Sequence, residues 1–274
     1  MGKPEIKQKL VLSVKELLVI LKNPDGNEFL SPEDPSKPSV IFGLDLNLFS
    51  DISLDAAELL VISQPWLEEK FGILKLLLNG MDNLSDELAL ILSQWVGEIQ
   101  LNGLKSISTG AALSLSKNHH DAIWLNGLVD LSGGVASKLI HNTGWLHLDG
   151  LLTLSNETLS SFSKFKHGLS LNGLVQLTDN DAKLLIKNKK SQYPLGLYLN
   201  GLTVLTLPTA IELAKYPGAL HLNGLSNLQD DIAEALSKSR HFLCLNGLEK
   251  LSKKAKEHLL KKPKGTVSPD LKWF

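Results

Sequence analysis

Residues 220–228 read Leu-His-Leu-Asn-Gly-Leu-Ser-Asn-Leu, and this pattern recurs along most of the 274-residue chain. Its glycine follows Asn, or once Asp, and the successive glycines lie 23, 24, 23, 23, 28, 23 and 23 residues apart. The pairs are Asn79-Gly80, Asn102-Gly103, Asn126-Gly127, Asp149-Gly150, Asn172-Gly173, Asn200-Gly201, Asn223-Gly224 and Asn246-Gly247. Chance does not hold so many positions in phase, so we predict a chain built from tandem structural repeats.

Each repeat predicts one strand, one turn and one short helix. Two leucines around one variable residue, as in Leu220-His221-Leu222, have the two-residue period of a half-buried strand. The Asn-Gly pair is expected to turn the chain because both residue types tolerate positive φ. Five residues after the glycine stands Ser or Thr, with Gln229 the exception, which predicts a helix N-cap. Apolar residues then recur at helical spacing, commonly Ala nine residues and Leu twelve residues after the glycine.

Stacked copies of this unit would share a continuous leucine core, which a single copy cannot form. Strands in a sheet lie about 4.8 Å apart, whereas packed helices need about 10 Å. The stack is therefore expected to curve. We predict an α/β solenoid with short parallel strands on the concave face and short helices outside.

The repeat resembles that of bacterial leucine-rich-repeat-like proteins with a short Leu-x-Leu-Asn-Gly-Leu unit, and the resemblance covers about Leu76 to Pro263. It implies a leucine-rich-repeat-like solenoid with N- and C-terminal caps. In the common leucine-rich repeat, Asn comes three residues after the second strand leucine, whereas here it follows that leucine directly. The Asn column is either an internal ladder that satisfies neighbouring backbone groups or an exposed row, and its uniform recurrence favours the ladder.

The flanking segments are predicted to cover the ends of one continuous domain. Residues 1–75 form the N-terminal cap, with a capping box in residues 13–16, a Pro-rich loop and a degenerate repeat whose glycine has become Leu48. Trp66 is expected to be buried in this cap. Residues 76–263 hold the eight repeats, and residues 264–274 form a C-terminal tail.

Two further segments depart from the repeat. Extra residues at 188–192 are interpreted as a surface loop, with a recognition loop as the alternative. From Asn246 onwards the chain carries eight lysines against three acidic residues. This favours a solvated cap helix, with a weak contact to RNA or a phosphorylated surface as the alternative.

The composition narrows the class of protein. A net charge of −1 argues against general nucleic-acid affinity, and the single cysteine, Cys244, excludes an intrachain disulfide. The N-terminal residues lack the pattern of a secretory signal, and apolar runs are too short to cross a bilayer. A cytoplasmic protein is therefore expected.

Positions that vary between repeats are the candidate functional residues, because a fixed frame with a variable column suits recognition. They lie between the two strand leucines or two residues earlier, on the face opposite the core. The predicted partner-binding residues are Gln100, Trp124, Trp145, His147, Ser170, Tyr198, His221, Phe242 and Cys244.

These residues predict a scaffold that binds a protein or peptide partner on the concave strand face. Binding of a small ligand or carbohydrate by the aromatic side chains is the alternative. His147 and His221 would be about 14 Å apart, too far to share a metal ion, and no cofactor motif is present, so neither metal nor cofactor is expected. A thiol enzyme that uses Cys244 and His221 is a remote alternative, and the chain is not expected to be an enzyme.

Overall fold

The protein has an α/β fold in which one ten-stranded parallel sheet runs the length of the repeats. The computed structural model describes residues 11–22, 43–117, 120–187, 196–263 and 266–268. The Pro-rich loop, the insertion at 188–192 and most of the predicted tail lie outside the described residues.

The strands of the large sheet are short and are arranged in chain order. They are β2 (Gly43–Asp45), β4 (Lys75–Leu77), β5 (Gly97–Gln100), β6 (His120–Trp124), β7 (Trp145–His147), β8 (Leu169–Ser170), β9 (Leu197–Tyr198), β10 (Leu220–His221), β12 (Leu243–Cys244) and β14 (Val267–Ser268). Among the described residues, four further strands form two separate pairs outside this sheet. These pairs are β1 (Val11–Leu12) with β3 (Asp51–Ile52), and β11 (Asn227–Leu228) with β13 (Lys250–Leu251). Thus β14 lies within residues 264–274, which the sequence predicted to be a tail.

A helix follows each strand of the eight repeats, as predicted, and only β14 at the end of the large sheet has none among the described residues. The helices are α1 (Val14–Lys22), α2 (Leu54–Phe71), α3 (Asp86–Leu92), α4 (Thr109–Ser116), α5 (Gly133–Leu139), α6 (Asn156–Phe162), α7 (Asp179–Ile186), α8 (Leu207–Leu213), α9 (Asp230–Ser237) and α10 (Lys253–Leu259). Each helix from α2 to α9 packs against the next helix along the chain, as the strands do. No helix within the described ranges combines the length and the apolar character needed to cross a membrane.

The core lies between the sheet and the helices. In each repeat the two strand leucines are buried and the residue between them points the other way, as Leu146, His147 and Leu148 illustrate. The helical positions predicted from their spacing are also inaccessible to solvent. They are Ala89, Ala112, Ala136, Ala182, Ala210 and Ala233, and Leu92, Leu115, Leu139, Phe162, Leu185, Leu213, Leu236 and Leu259. The period of the sequence therefore identified the buried side of each element.

The predicted N-caps are confirmed. Ser132, for example, accepts a hydrogen bond from the backbone N–H of Val135 at 3.2 Å, and the other Ser or Thr caps do the same. Gln229 precedes α9 without a side-chain capping bond. The capping box of residues 13–16 is also present, because the N–H of Ser13 donates to Glu16 Oε2 at 2.8 Å.

The Asn column forms a ladder that joins each repeat to the next. The side-chain oxygen of Asn126 accepts a hydrogen bond from the backbone N–H of Asp149 at 2.9 Å, and Asp149 accepts one from Asn172 N–H at 2.8 Å. The same bond recurs from Asn47 to Asn246 at distances between 2.6 and 3.0 Å. The sequence left open an internal ladder or an exposed row, and the structure has the ladder.

The glycine of each Asn-Gly pair is required by close packing, so the explanation from positive φ was wrong. Within the described residues only Gly72 and Gly97 have a positive φ among the glycines. A Cβ on Gly150 would lie 2.1 Å from the carbonyl oxygen of Asn126, far inside van der Waals contact. For the glycine of every Asn-Gly or Asp-Gly pair, the distance from such a Cβ to the backbone carbonyl oxygen of the Asn or Asp in the preceding repeat is between 1.7 and 2.3 Å. Successive turns are therefore nested, and any side chain larger than hydrogen would separate them.

At each end of the ladder, where no further Asn follows, another side chain makes the hydrogen bond that an Asn of the adjoining repeat would make. At the first edge, Asp45 Oδ1 accepts the N–H of Asn47 at 2.7 Å, the bond that a preceding Asn would otherwise make. Leu48 replaces the glycine there because β2 is the edge strand, and its side chain is 78% exposed. At the other end, Ser268 Oγ donates to Asn246 Oδ1 at 2.7 Å.

The expectation that Trp66 is buried was wrong, since 41% of the residue is exposed. It lies on α2, where its ring packs edge-on against Phe71 with centroids 5.3 Å apart and lies under the ammonium group of Lys70. Leu60, Gln64 and Leu67 take the inward positions of this helix instead.

Candidate functional site

The variable residues lie in one line on the side of the sheet that faces away from the core, here called the open face. Because alternate side chains of a strand point to opposite faces, the residue between two buried leucines points to this side. The strand register aligns these residues from β6 to β12 in the order Trp124, His147, Ser170, Tyr198, His221 and Cys244. The register therefore brings the predicted site residues together.

Six aromatic side chains form a continuous row on the open face, and all six were predicted to bind a partner. This aromatic row consists, in spatial order, of Trp124, His147, Trp145, Tyr198, His221 and Phe242. The rings of Trp124 and His147 stack with centroids 3.6 Å apart, and those of Tyr198 and His221 stack at 3.8 Å. Trp145 joins the two stacks, since its centroid lies 6.0 Å from His147 and 5.4 Å from Tyr198.

Trp145 can join the stacks because two glycines leave space beside it. A Cβ on Gly168 would lie 2.2 Å from Trp145 Cε3, so the indole occupies the volume of the absent side chain. At Gly196 a Cβ would lie 2.8 Å from Tyr198 Cε2 and 3.3 Å from Trp145 Cη2. Gly168 and Gly196 occupy the same column as Trp145 in the next two repeats, which is the signal in the sequence that links them to the indole.

The aromatic row has no net charge at neutral pH. Burial lowers the pKa of His147 and of His221, so both imidazoles are neutral in the folded protein. Asp149 and Glu98 act in the opposite direction on the pKa of His147, with a smaller effect than burial. Burial also raises the pKa of Tyr198, which keeps its hydroxyl protonated. The row thus offers apolar rings with neutral polar tips.

Ser170 and Cys244 were predicted to contact a partner, but they are only 2% and 5% exposed. Ser170 Oγ donates to Asp149 Oδ1 at 2.6 Å and accepts from Asn172 Nδ2 at 2.8 Å. Cys244 Sγ accepts from Asn246 Nδ2 at 3.2 Å. Both side chains are short enough to be covered by their neighbours, so they brace the ladder and do not reach the surface.

Gln100 belongs to a polar end of the open face and lies outside the aromatic row. Its Nε2 donates to Glu98 Oε1 at 2.8 Å, and Glu98 forms an ion pair with Lys75 at 3.1 Å. Asn79 Nδ2 donates to Gln100 Oε1 at 3.3 Å. The open face therefore changes from charged to aromatic between β5 and β6.

The arrangement offers little for catalysis by the predicted thiol pair. Cys244 and His221 are neighbours in the strand register, but His221 stacks on Tyr198 and Cys244 is buried against Asn246. Across the part of the chain that the structure describes, no three His, Cys, Asp or Glu side chains are grouped to hold a metal ion.

No protein-family model matches this chain, and no curated protein matches its sequence.

Proposed function

We propose that this chain is a leucine-rich-repeat-like solenoid and a scaffold that binds a protein or peptide partner on its concave strand face. The solenoid reading is supported by the sheet, whose strands from β4 to β10 are neighbours in chain order. A doubly wound sheet reverses its strand order at a switch point, and this sheet has no such reversal among the described strands. The ladder from Asn47 to Asn246 also requires each repeat to stack on the one before.

The curvature follows from the two kinds of element. Strands in a sheet are about 4.8 Å apart, and packed helices about 8–10 Å, so a stack of such repeats bends towards its strands. The small buried Ala of most of the repeat helices, such as Ala136, brings these helices close to the sheet and lessens the bend. On this proposal the open face is the concave face.

The aromatic row is the observation that carries the proposed function. Its six rings span β6 to β12, a length of about 24 Å at the usual strand spacing. Aromatic side chains held rigidly by stacking lose little conformational entropy on binding and are frequent at the centres of protein interfaces. The fixed positions of every repeat form the core and the turn, which leaves these positions free for recognition.

The test is partner capture by the immobilised full chain from an extract of the cells that produce it. We expect Trp124→Ala and Tyr198→Ala to lose the captured partner and to keep a melting temperature within a few degrees of the unaltered protein. Leu90→Ala, on the exposed side of α3, is the matched control and should retain the partner. Undiminished capture by both aromatic variants would contradict the proposal.

Carbohydrate binding is a second candidate, favoured by the position of Trp145. The indole extends across Gly168 to Gly196 and fills the gap between the two stacked pairs. An indole that lies along a binding face is suited to stacking against a sugar ring, which presents C–H groups to it. Binding of the purified chain to a glycan array, abolished by Trp145→Ala, would favour this candidate over a protein partner.

On this proposal the chain has no catalytic role, and the reactivity of the Cys244 thiol tests the alternative of a thiol enzyme. Because Cys244 is 5% exposed, alkylation of its thiol by iodoacetamide in the folded protein should be much slower than in the urea-unfolded chain. Rapid alkylation of the folded protein would favour the thiol enzyme instead.

A further inference from the structure

An exposed apolar stripe runs beside the turns of four consecutive repeats, outside the aromatic row. It consists of Val129, Leu152, Val175 and Val204, with exposed fractions of 63%, 59%, 55% and 73%. The first three stand two residues after the turn glycine, and Val204 stands three residues after it. The ladder bonds from Asn126 to Asp149 and on to Asn172 place successive members in adjacent repeats.

The stripe is confined to these repeats. At the position two residues after the glycine, which Val129, Leu152 and Val175 occupy, the other repeats carry polar or charged residues, namely Asp82, Lys105, Thr203, Ser226 and Glu249. The central repeats that carry the stripe also carry most of the aromatic row, from Trp124 to Tyr198. An apolar stripe that begins and ends with polar neighbours marks a bounded surface.

The stripe is flanked by negative charge. Between the turn and the first helical turn of its four repeats (residues 128–135, 151–158, 174–181 and 202–209) the acidic residues are Asp130, Glu157, Asp179 and Asp181, and the sequence has no Lys or Arg there. Hydrogen bonds from Thr206 and Thr209 lower the pKa of Asp179, which keeps its carboxylate ionised. This surface is therefore complementary to a basic partner.

The spacing of the stripe matches a helix. Adjacent repeats are about 4.8 Å apart at the strands, and apolar residues on one side of an α-helix recur every 3.5 residues, or about 5.3 Å. Side chains on one side of an extended strand recur at about 6.7 Å, which drifts out of register across four repeats.

We propose that the stripe of Val129, Leu152, Val175 and Val204 docks the apolar side of a basic amphipathic helix from a partner, lying across the repeats. The stripe and its acidic flank bind the leucines and lysines of that helix respectively. This site is separate from the aromatic row, because the Asn-Gly turn lies between them.

The test uses the full chain and a fluorescent synthetic peptide of about 18 residues, long enough to cross four repeats as a helix. One peptide has leucine along one side and lysine beside it, and the other has glutamate in place of lysine. Anisotropy should detect binding of the lysine peptide only. Leu152→Asp should weaken that binding at least about tenfold, and Glu157→Gln should weaken it less.

Two matched variants separate this site from other surfaces. Leu90→Asp alters an equally exposed leucine on α3 and should leave the binding unchanged. Trp145→Ala should also leave it unchanged, so that failure of the aromatic row and failure of the stripe are distinguishable. No binding of the lysine peptide, equal binding of both peptides, or no effect of Leu152→Asp would overturn the proposal. So would a dimer of the chain that Leu152→Asp dissociates in sedimentation, since the occupant would then be a second copy.

Discussion

Gly150 illustrates, at the scale of one residue, how closely neighbouring repeats approach. A methyl group there would lie 2.1 Å from the carbonyl oxygen of Asn126, so Gly150→Ala has to push two turns apart. We expect the free energy of unfolding, measured by urea titration, to fall by about 1–3 kcal/mol or more.

Gly134 is the matched control for this prediction. It lies within α5, where a Cβ would meet nothing closer than 3.8 Å. Gly134→Ala should raise the free energy of unfolding by about 0.5–1 kcal/mol, because alanine favours the helix. Equal effects of the two substitutions would contradict the nesting of the turns.

His120 makes the stability of the protein depend on pH. The residue is 1% exposed, so its imidazole is shielded from water. Burial lowers the pKa of His120 from 6.5 to about 4. The unfolded chain therefore binds the proton more readily, so the contribution of neutral His120 is complete above pH 6.5 and is lost as the pH falls from 6.5 towards 4.

His120→Phe should remove this dependence. Between pH 7 and pH 4.5 the unaltered protein is expected to lose about 2–3 kcal/mol more unfolding free energy than the variant, by urea titration at both values. Carboxylates with lowered pKa values, such as Asp179, are common to both proteins and cancel in the comparison. Identical losses in the two proteins would show that His120 is not the group responsible.

At the scale of elements, the N-caps of α4, α8 and α10 connect each of these helices to its own repeat and to the one before. Thr206 accepts a bond from Thr209 N–H at 3.1 Å and donates from its hydroxyl to Asp179, the first residue of α7, at 2.5 Å. Ser108 and Ser252 donate to Asp86 and Asp230 in the same way. These three pairs of consecutive helices are thus hydrogen-bonded at their N-termini as well as packed along their buried sides.

The cap of α9 is the exception and can be improved. Gln229 makes no side-chain capping bond, so Gln229→Ser should raise the free energy of unfolding by about 0.5–1 kcal/mol. Ser132→Ala, which removes the capping bond to Val135, should lower it by about 1 kcal/mol. Guanidinium titration measures both, and a destabilising Gln229→Ser would mean that the Gln side chain has another structural role.

At the scale of the whole molecule, the Asn ladder passes through every described repeat, as the leucine core does. Asn172 Oδ1 accepts the N–H of Asn200 at 3.0 Å between two repeats, whereas Asn246 Oδ1 accepts an exposed hydroxyl from Ser268 at the end. Asn172→Ala leaves a part-buried N–H without its acceptor, so we expect it to lower the free energy of unfolding by about 1–3 kcal/mol.

Asn246→Ala should lower the free energy of unfolding less than Asn172→Ala, because water can replace the hydrogen bond between Ser268 and Asn246 at the end of the ladder. The two variants have the same chemical change and differ only in position, so the difference in their unfolding free energies by urea titration measures the effect of position. Equal losses would indicate that the ladder contributes nothing beyond local turn stability.

The repeat period was sufficient to predict the strands, the helices, their caps and the buried positions. Leu146 and Leu148 alternate with His147 by strand geometry alone, and Ala136 and Leu139 lie on one side of a helix by its own periodicity. Such patterns are local, because one element determines which of its side chains share a side. The alignment of Trp124, His147 and Tyr198 followed from their common position between the two strand residues of each repeat, although one intervening repeat is five residues longer.

The amino-acid sequence by itself determined the α/β repeat and the residues that share its open face. Only the tertiary structure decided how neighbouring repeats meet: the nesting that requires glycine, the Asn bonds between repeats, the covering of Ser170 and Cys244, and the position of Trp145 across Gly168. The physical reason is that the nesting contacts, the Asn bonds and the contact of Trp145 with Gly168 join residues 23 or more positions apart. Their distances depend on the spacing and tilt between whole repeats, which hydrophobic periodicity within one repeat does not specify.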